Sequence, residues 1–111
     1  MTDRQKAQIR AWIETAIRAG FKIHNRLTFR EESGLCCALG AWYCTPEGGH
    51  FLDTNPDFEP NYSLPGHVLG LTIFETRAFV CGFDGDDFSG HHYEQSAYQF
   101  GRELAQEFGV L

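Results

Sequence analysis

Two adjacent cysteines, Cys36 and Cys37, are the residues of this 111-residue chain best placed to do chemistry. They follow Ser33 at the start of an uncharged stretch that ends at Pro46. If this stretch is a helix, both thiols lie in its first turn, where unpaired backbone N–H groups and the helix dipole stabilise a thiolate. The first catalytic hypothesis is therefore a nucleophile at Cys36 or Cys37.

A nucleophilic cysteine also needs a histidine within hydrogen-bond reach and a group that orients it. The chain has five histidines: His24, His50, His67, His91 and His92. The most economical set pairs His91 or His92 with Asp86 or Asp87. A cysteine at the start of a buried helix, followed by a later histidine, resembles the small papain-like hydrolases, and this implies a cysteine hydrolase. The opposing interpretation is that cysteines on an all-apolar segment are inert packing.

The spacing of the cysteines and histidines gives less support for a metal site. Cys37, Cys44 and His50 are separated by six and five residues, which matches no common zinc motif, and there is no C-x-x-C pair. Walker, dinucleotide-binding, nucleophile-elbow and H-E-x-x-H motifs are also missing from the sequence. We therefore expect no cofactor and no metal ligand set.

An acidic turn near residue 85 has some features of a calcium loop. Asp84, Asp86 and Asp87 resemble part of a calcium loop, but Phe88 takes the next ligand position and no glutamate closes a twelve-residue loop. The simpler interpretation is a turn with solvated carboxylates. A metal-dependent role for this cluster stays open as a third hypothesis.

The charge is unevenly distributed along the chain. Residues 1–30 hold seven Lys/Arg against two acidic residues, whereas residues 31–111 hold two Arg against thirteen acidic residues, and the net charge is −6. The larger, acidic part would repel the phosphates of nucleic acid and attract a basic protein surface. The alternative is that these charges only keep a small protein soluble.

The uncharged stretch is the element around which we expect the chain to pack. Ser33 is a suitable N-cap and Pro46 a suitable stop, and the twelve residues 34–45 are apolar on every side. Such a helix is normally buried all round. A buried strand is the competing interpretation, which two alanines and a glycine within 38–41 disfavour.

The flanking segments predict one helix, a short β part and a long loop. Apolar residues at helical spacing predict a helix from about Arg4 to Ala19, with Asp3 as N-cap and Gly20 as stop. Residues 21–29 alternate as two short extended pieces or a small hairpin. Residues 45–62 hold three prolines, two glycines and four carboxylates without periodicity, which predicts a surface loop.

The next segment carries two helix start signals and two stops. Ser63 opens a short helix that Gly70 closes, and Thr72 with Glu75 forms a capping box for a second helix that ends at Gly82. This outline is that of a helix-turn-helix. DNA binding is disfavoured, however, because Arg77 is the one cation of the second helix.

Both of the last two helices are expected to contribute to the core. The second helix directs its large apolar residues there: Ile73, Phe74, Phe79 and Val80. The terminal helix carries an apolar stripe of Tyr93, Ala97, Phe100, Gly101, Leu104 and Phe108, and ends at Gly109. Gly101 on this stripe predicts close contact with another backbone, that of the central helix at Gly40.

These elements predict a mainly α-helical fold, with α+β as the alternative. We expect four or five helices around the buried central helix, in a single domain spanning residues 1–111. No stretch has signal-peptide or membrane-span character, and the cysteines are not spaced for a disulfide framework. The expectation is a cytoplasmic protein with reduced thiols.

Four segments, CALGAWY, LGLTIFE, GFDGDDF and FGRELAQEF, resemble those of small uncharacterised bacterial and phage proteins. The shared motifs are structural, namely a buried helix and a capping box. The resemblance therefore implies a bacterial or phage source and transfers no catalytic residue.

The leading functional hypothesis is a non-enzymatic interaction module, such as a bacterial or phage regulator or inhibitor. Its acidic loops would meet a basic protein surface, with no direct contact to nucleic acid or membrane. The candidate binding residues are the carboxylates of these loops: Glu47, Asp53, Asp57, Glu59, Asp84, Asp86 and Asp87. The alternative is a small cysteine hydrolase that uses Cys36 or Cys37 with His91 or His92.

Overall fold

The computed structural model describes residues 1–25, 34–86 and 94–110. These ranges contain five α-helices, one 3₁₀ helix and two short β-strands. The elements in chain order are α1 (Asp3–Arg18), β1 (Lys22–Ile23), β2 (Leu35–Cys36), the 3₁₀ helix (Gly40–Cys44), α2 (Pro46–Thr54), α3 (Ser63–Val68), α4 (Ile73–Asp84) and α5 (Gln95–Glu107). The predicted class, mainly α-helical with a small β part, is confirmed.

Helix α1 forms as its periodicity predicts, within one residue at each end. Its N-cap is Thr2 and not Asp3, because the Thr2 hydroxyl accepts the backbone N–H of Gln5 and the Gln5 side chain accepts the backbone N–H of Thr2. This capping box satisfies two N–H groups that the helix cannot pair internally. Gly20 follows with a φ of 94°, a left-handed conformation that glycine adopts without strain.

The uncharged stretch is buried as predicted, but it is not a single α-helix. Leu35–Cys36 is a strand that pairs in parallel with Lys22–Ile23, and only Gly40–Cys44 is helical, with 3₁₀ geometry. Ser33, its predicted cap, lies outside the described residues. The prediction was wrong because length and apolar character cannot separate a buried helix from a buried strand followed by a turn of helix. Of residues 21–29, where two short extended pieces or a small hairpin are predicted, Lys22–Ile23 is a strand, and residues 26–29 lie outside the described residues.

Helix α2 corrects the prediction of a loop over residues 45–62. The Thr45 hydroxyl accepts the backbone N–H of Gly48, and Pro46 occupies the first helical position. A Cβ at Gly48 would lie less than 3.0 Å from the backbone of Trp42, so glycine allows α2 to rest directly on the 3₁₀ helix. Thr45 followed by Pro46 is a helix start signal that the sequence contains. Two glycines and the later prolines nevertheless favoured the prediction of a loop.

Helices α3 and α4 have four predicted ends in total, and three of these agree with the structure. Gly70 has a φ of 79°, and the Thr72–Glu75 capping box is formed in full. Gly82, the predicted stop, instead lies inside α4, which continues to Asp84 and ends at Gly85 with a φ of 79°.

The contact between α4 and α5 brings two backbones together at two glycines. A Cβ at Gly82 would lie less than 3.0 Å from the carbonyl oxygen of Tyr98, and a Cβ at Gly101 equally close to that of Phe79. The predicted close approach at Gly101 is therefore present, but its partner is α4 and not Gly40.

The core is formed mainly by residues from α1, the stretch 36–43, α4 and α5. Its largest fully buried side chains are Tyr43, Phe79, Phe83, Ile9, Ile13, Leu39, Leu104, Pro65 and Cys36. The apolar stripe of α5 is confirmed over Ala97, Phe100, Gly101 and Leu104. Tyr93, its first predicted member, lies outside the described residues.

Replacing Gly101 by alanine is expected to destabilise the protein. The added Cβ would press on the backbone of α4, which cannot move aside as a flexible side chain would, so we expect the free energy of unfolding to fall by about 2–3 kcal/mol. Urea denaturation measures this change.

Gly49→Ala is the matched control for this substitution. At Gly49 in α2 an added Cβ would have its nearest neighbour 3.8 Å away, an ordinary contact, and alanine favours a helix by up to about 1 kcal/mol. Gly49→Ala should therefore be neutral or stabilising. Equal effects of the two substitutions would contradict the proposed backbone contact.

Candidate functional site

The two candidate nucleophiles are both buried. Cys36 is 0% exposed within β2, and Cys37 is 5% exposed in the turn that precedes the 3₁₀ helix. Neither thiol therefore lies in the first turn of an α-helix, so the expected stabilisation of a thiolate by a helix dipole does not apply.

The surroundings of Cys37 favour the neutral thiol. The pKa of Cys37 is raised to about 11: burial is the main cause, the nearby Asp84 carboxylate adds to it, and the N–H of Gly40, 3.1 Å from the sulfur, opposes the shift. The cavity beside the sulfur measures about 10 Å³ and is lined mainly by apolar residues, among them Phe79, Val80 and Phe83 of α4. This space holds no substrate, so the arrangement is that of a packing cysteine.

The histidines do not complete a catalytic pair within the described ranges. His24, His50 and His67 have exposed side chains. The ring Nδ1 of His24 is 2.9 Å from the carbonyl oxygen of Asn25. The sequence hypothesis also used His91, His92 and Asp87, and these three lie outside the described residues.

No metal site is formed by the part of the chain that the structure describes. Within it, no group of three or more His, Cys, Asp or Glu side chains is arranged to hold a metal ion. This includes the zinc combination considered from the sequence, in which Cys37 is buried in the core while His50 is exposed on α2.

The described acidic residues of the prediction fall in two separate parts of the chain. We define the acidic segment as residues 47–59, whose four carboxylates all lie on exposed residues: Glu47, Asp53, Asp57 and Glu59. In the described ranges none of the four takes part in an ion pair. Asp84 ends α4 and is half-buried, and Asp86 follows it on the surface. The acidic segment is thus the larger accessible array of negative charge.

Aromatic packing holds the acidic segment in place. The rings of Phe51 and Phe58 meet edge to face with centroids 4.9 Å apart, and each also contacts a ring of the 3₁₀ helix. The buried Tyr43 hydroxyl donates to the carbonyl oxygen of Asn61 at 2.7 Å and accepts the N–H of Asn61 at 3.1 Å. The exposed carboxylates are therefore carried by a backbone anchored on both sides.

The basic N-terminal helix is partly engaged by α5. Arg10 forms an ion pair with Glu107, and the cationic groups of Lys6 and Arg10 each lie 5.5 Å from the centroid of the Phe100 ring. These cation–π contacts and the ion pair join the two ends of the described chain. Part of the positive charge of α1 is thus already paired with groups of α5.

Three large apolar residues near the α3–α4 turn are exposed, which the sequence analysis missed. Phe74 is 62% exposed, Ile73 52% and Val68 41%. The prediction that Ile73 and Phe74 point into the core is therefore wrong. The available signal was that α4 carries apolar residues on all sides, whereas α5 can cover only one of them.

None of the helices in the described ranges combines the length and the hydropathy that a membrane span requires. Comparisons with protein-family models, with curated proteins and with solved structures find no match to this chain. The candidate functions consequently depend on the geometry of the chain itself.

The buried thiol of Cys37 predicts a loss of stability at alkaline pH. Its pKa is about 11 in the folded protein against an ordinary value of 9.0, so above pH 9 the unfolded chain releases a proton that the folded chain retains. The free energy of unfolding should then fall by about 1.4 kcal/mol per pH unit up to roughly pH 11, and should be unaffected below pH 9.

Urea titrations of wild type and Cys37→Ala between about pH 8 and pH 11 isolate this contribution. Burial also raises the pKa of Tyr43 and that of Cys81, and these effects of burial cancel in the difference because both groups remain in the variant. The smaller effect of Cys37 on the pKa of Tyr43 is lost with the thiol and belongs to the Cys37 contribution. The stability gap between the two proteins should therefore narrow as the pH rises. A gap that stays constant with pH would contradict the assignment.

Proposed function

We propose that the protein is a non-enzymatic interaction module that binds a basic surface of a partner protein through its acidic segment. The observation that carries the proposal is that all four carboxylates of this segment lie on exposed residues and have no ion pair in the described ranges. A cationic partner surface would supply the missing counter-charges and accelerate association.

The anchoring of the segment supports a binding role. Glu47 and Asp53 are on a regular helix, and Asp57 and Glu59 flank Phe58. The ring of Phe58 packs on that of Phe51, and both rings pack on the 3₁₀ helix. A surface that is ordered before binding loses little conformational entropy on association. Asp84, Asp86 and Asp87 would add a second acidic contact in this proposal.

A regulator or inhibitor acts by binding its partner and needs no reactive group. Such a role suits this surface better than hydrolysis. The cysteine hypothesis requires a thiolate that substrate can reach, whereas Cys36 is fully buried and the pKa of Cys37 is raised to about 11. Deprotonating and exposing either thiol would require opening the core.

The test uses four amide substitutions in the acidic segment: Glu47→Gln, Asp53→Asn, Asp57→Asn and Glu59→Gln. We would select a random-peptide display library on the wild-type protein, an approach that needs no knowledge of the partner. We expect enriched peptides to carry clustered Lys/Arg, to dissociate as salt increases, and to lose at least about tenfold in affinity for the amide variant.

A matched control removes the same number of charges elsewhere. It replaces exposed carboxylates outside the segment: Asp3→Asn, Glu14→Gln, Glu103→Gln and Glu107→Gln. The enriched peptides should bind this control nearly as well as they bind wild type. Equal losses in the two variants would mean that only net charge matters, and enrichment without basic residues would contradict the proposal directly.

A further inference from the structure

Exposed apolar side chains are concentrated around the turn between α3 and α4. In the described ranges four large apolar residues are exposed, and three of them lie here: Val68 at the end of α3, and Ile73 and Phe74 at the start of α4. We call the area formed by these three residues and the two grooves beside them the α3–α4 surface. Single exposed apolar residues are ordinary, whereas a group of them is typical of a contact site.

The first groove lies between α3 and α4. It measures about 180 Å³ and is lined by Ser63, His67, Leu71, Ile73 and Thr76. A cavity of about 150 Å³ is large enough to hold a benzene molecule. The groove therefore has room for one large apolar side chain of a partner, which would contact Leu71 and Ile73.

The second groove lies on the α1 side of α3. It measures about 350 Å³, and the residues that line it include Arg4 and Gln8 of α1 together with Val68. Val68 directly follows His67, which lines the first groove, so the two grooves lie on either side of the C-terminal end of α3. A partner that covers this end of α3 would contact both grooves.

Two arginines border the α3–α4 surface. Arg4 lines the second groove, and Arg77 follows Ile73 and Phe74 at intervals of four and three residues, which places it next to them on α4. Both arginines are exposed, and in the described ranges neither takes part in an ion pair or a cation–π contact. The other three cations of α1 each contact a carboxylate or an aromatic ring. Arg4 and Arg77 are therefore available to carboxylates of a partner.

The nearest carboxylates of the chain leave this positive charge in place. Glu75 is 21% exposed, and its side chain accepts the backbone N–H of Thr72 at 3.0 Å, so its charge already caps α4. Asp3 is exposed on α1, but it does not line the second groove beside Arg4. A partner with negative charge is thus complementary to the α3–α4 surface.

Apolar grooves bordered by two arginines favour a protein segment as the occupant. Nucleic acid and anionic bilayers bind mainly through many phosphate contacts, which two arginines on a chain of net charge −6 do not provide. A second copy of this chain would offer its acidic segment, but the rings of Phe51 and Phe58 in that segment pack on the 3₁₀ helix. A partner segment with free apolar side chains and carboxylates meets both requirements.

The elements that form the α3–α4 surface also favour a helical partner. The two grooves are lined by residues of α1, α3, α4 and the turns beside them, and no described strand borders them. An extended peptide that adds to a sheet needs a strand edge, whereas an amphipathic helix needs a groove for its apolar side chains.

We propose that the α3–α4 surface binds an acidic amphipathic helix of a partner protein. One apolar side chain of that helix occupies the first groove, others cover Val68 and Phe74, and its carboxylates pair with Arg4 and Arg77. This site shares no residue with the acidic segment and takes a partner of opposite charge. The proposal therefore goes beyond the interaction function above, and its failure would leave that function unaffected.

Peptide display tests the chemistry of the partner. The library consists of helical peptides with apolar residues at positions i, i+3, i+4 and i+7 and random residues elsewhere. Selection uses the variant with the four amide substitutions in the acidic segment, which removes the other proposed site. We expect the enriched peptides to carry Asp/Glu beside the apolar positions. Failure to enrich acidic peptides would overturn the proposal.

Substitution of Phe74 tests the position of the site. Phe74→Ser should weaken binding of the enriched peptide to the otherwise wild-type protein at least about tenfold, as measured by fluorescence anisotropy of the labelled peptide. Ile17→Ser is the matched control, because Ile17 is a similarly exposed apolar residue (46%) on α1. Both side chains are exposed, and circular dichroism checks that both variants are folded. Equal effects of the two substitutions would refute the assigned position.

Removal of the arginines tests the charge complementarity. Arg77→Gln should weaken peptide binding roughly fivefold, the upper range for one exposed ion pair, and the double variant with Arg4→Gln should weaken it further. Lys22→Gln is the matched control, since Lys22 is exposed on β1 and has no ion pair in the described ranges. A peptide that binds all of these variants equally would contradict the proposed pairing.

Two further measurements separate the proposed partner from the other occupants. The wild-type protein should not co-sediment with vesicles of phosphatidylserine and phosphatidylcholine. In sedimentation velocity it should remain monomeric up to about 1 mM. Vesicle binding or self-association that Phe74→Ser abolishes would replace the helical partner by a bilayer or a second copy, and so would overturn the proposal.

Discussion

The backbone contact between α4 and α5 is the constraint on which the rest of the fold depends. Gly82 and Gly101 each lie where a Cβ would overlap the backbone of the opposite helix, so the two helices meet with no side chain between them. The Tyr98 hydroxyl adds a hydrogen bond of 2.8 Å to the carbonyl oxygen of Asp86. This pair then presents Phe79 and Phe100 to the other elements.

The buried stretch around the 3₁₀ helix is the second organising element. Trp42 and Tyr43 are both buried, but the Tyr43 hydroxyl is satisfied by Asn61, whereas the indole N–H of Trp42 has no partner among the described residues. An unsatisfied buried donor costs about 1–3 kcal/mol. Close packing of α2 against the Trp42 backbone, which Gly48 permits, offsets part of this cost.

The thiols that were candidate nucleophiles are buried, and the surface carries carboxylates and exposed apolar side chains instead. The cysteines that looked reactive in the sequence serve as packing, because desolvation disfavours a thiolate at Cys37 and Cys36 is fully enclosed. The features left outside are an array of carboxylates on an anchored segment and an apolar face of α4. The first of these is the surface on which the proposed interaction depends.

Local signals in the sequence determined the elements whose stability is local. The capping box at Thr72, the left-handed glycine at Gly70 and the apolar periodicity of α1 act within a few residues, and all three are present. The exposed carboxylates of the acidic segment could also be identified, since charged side chains avoid the core.

Tertiary structure alone decided the conformation of the uncharged stretch, the partner of Gly101 and the exposure of Phe74. Apolar character shows that a residue tends to be buried, but it does not show which element will cover it. Cys36 is a strand residue because its segment pairs with β1. Gly101 contacts α4 because neither Gly101 nor Gly82 places a side chain between the two backbones. Phe74 stayed exposed because α5 covers only the opposite side of α4. Such contacts join residues far apart in the chain, so local periodicity could not specify them.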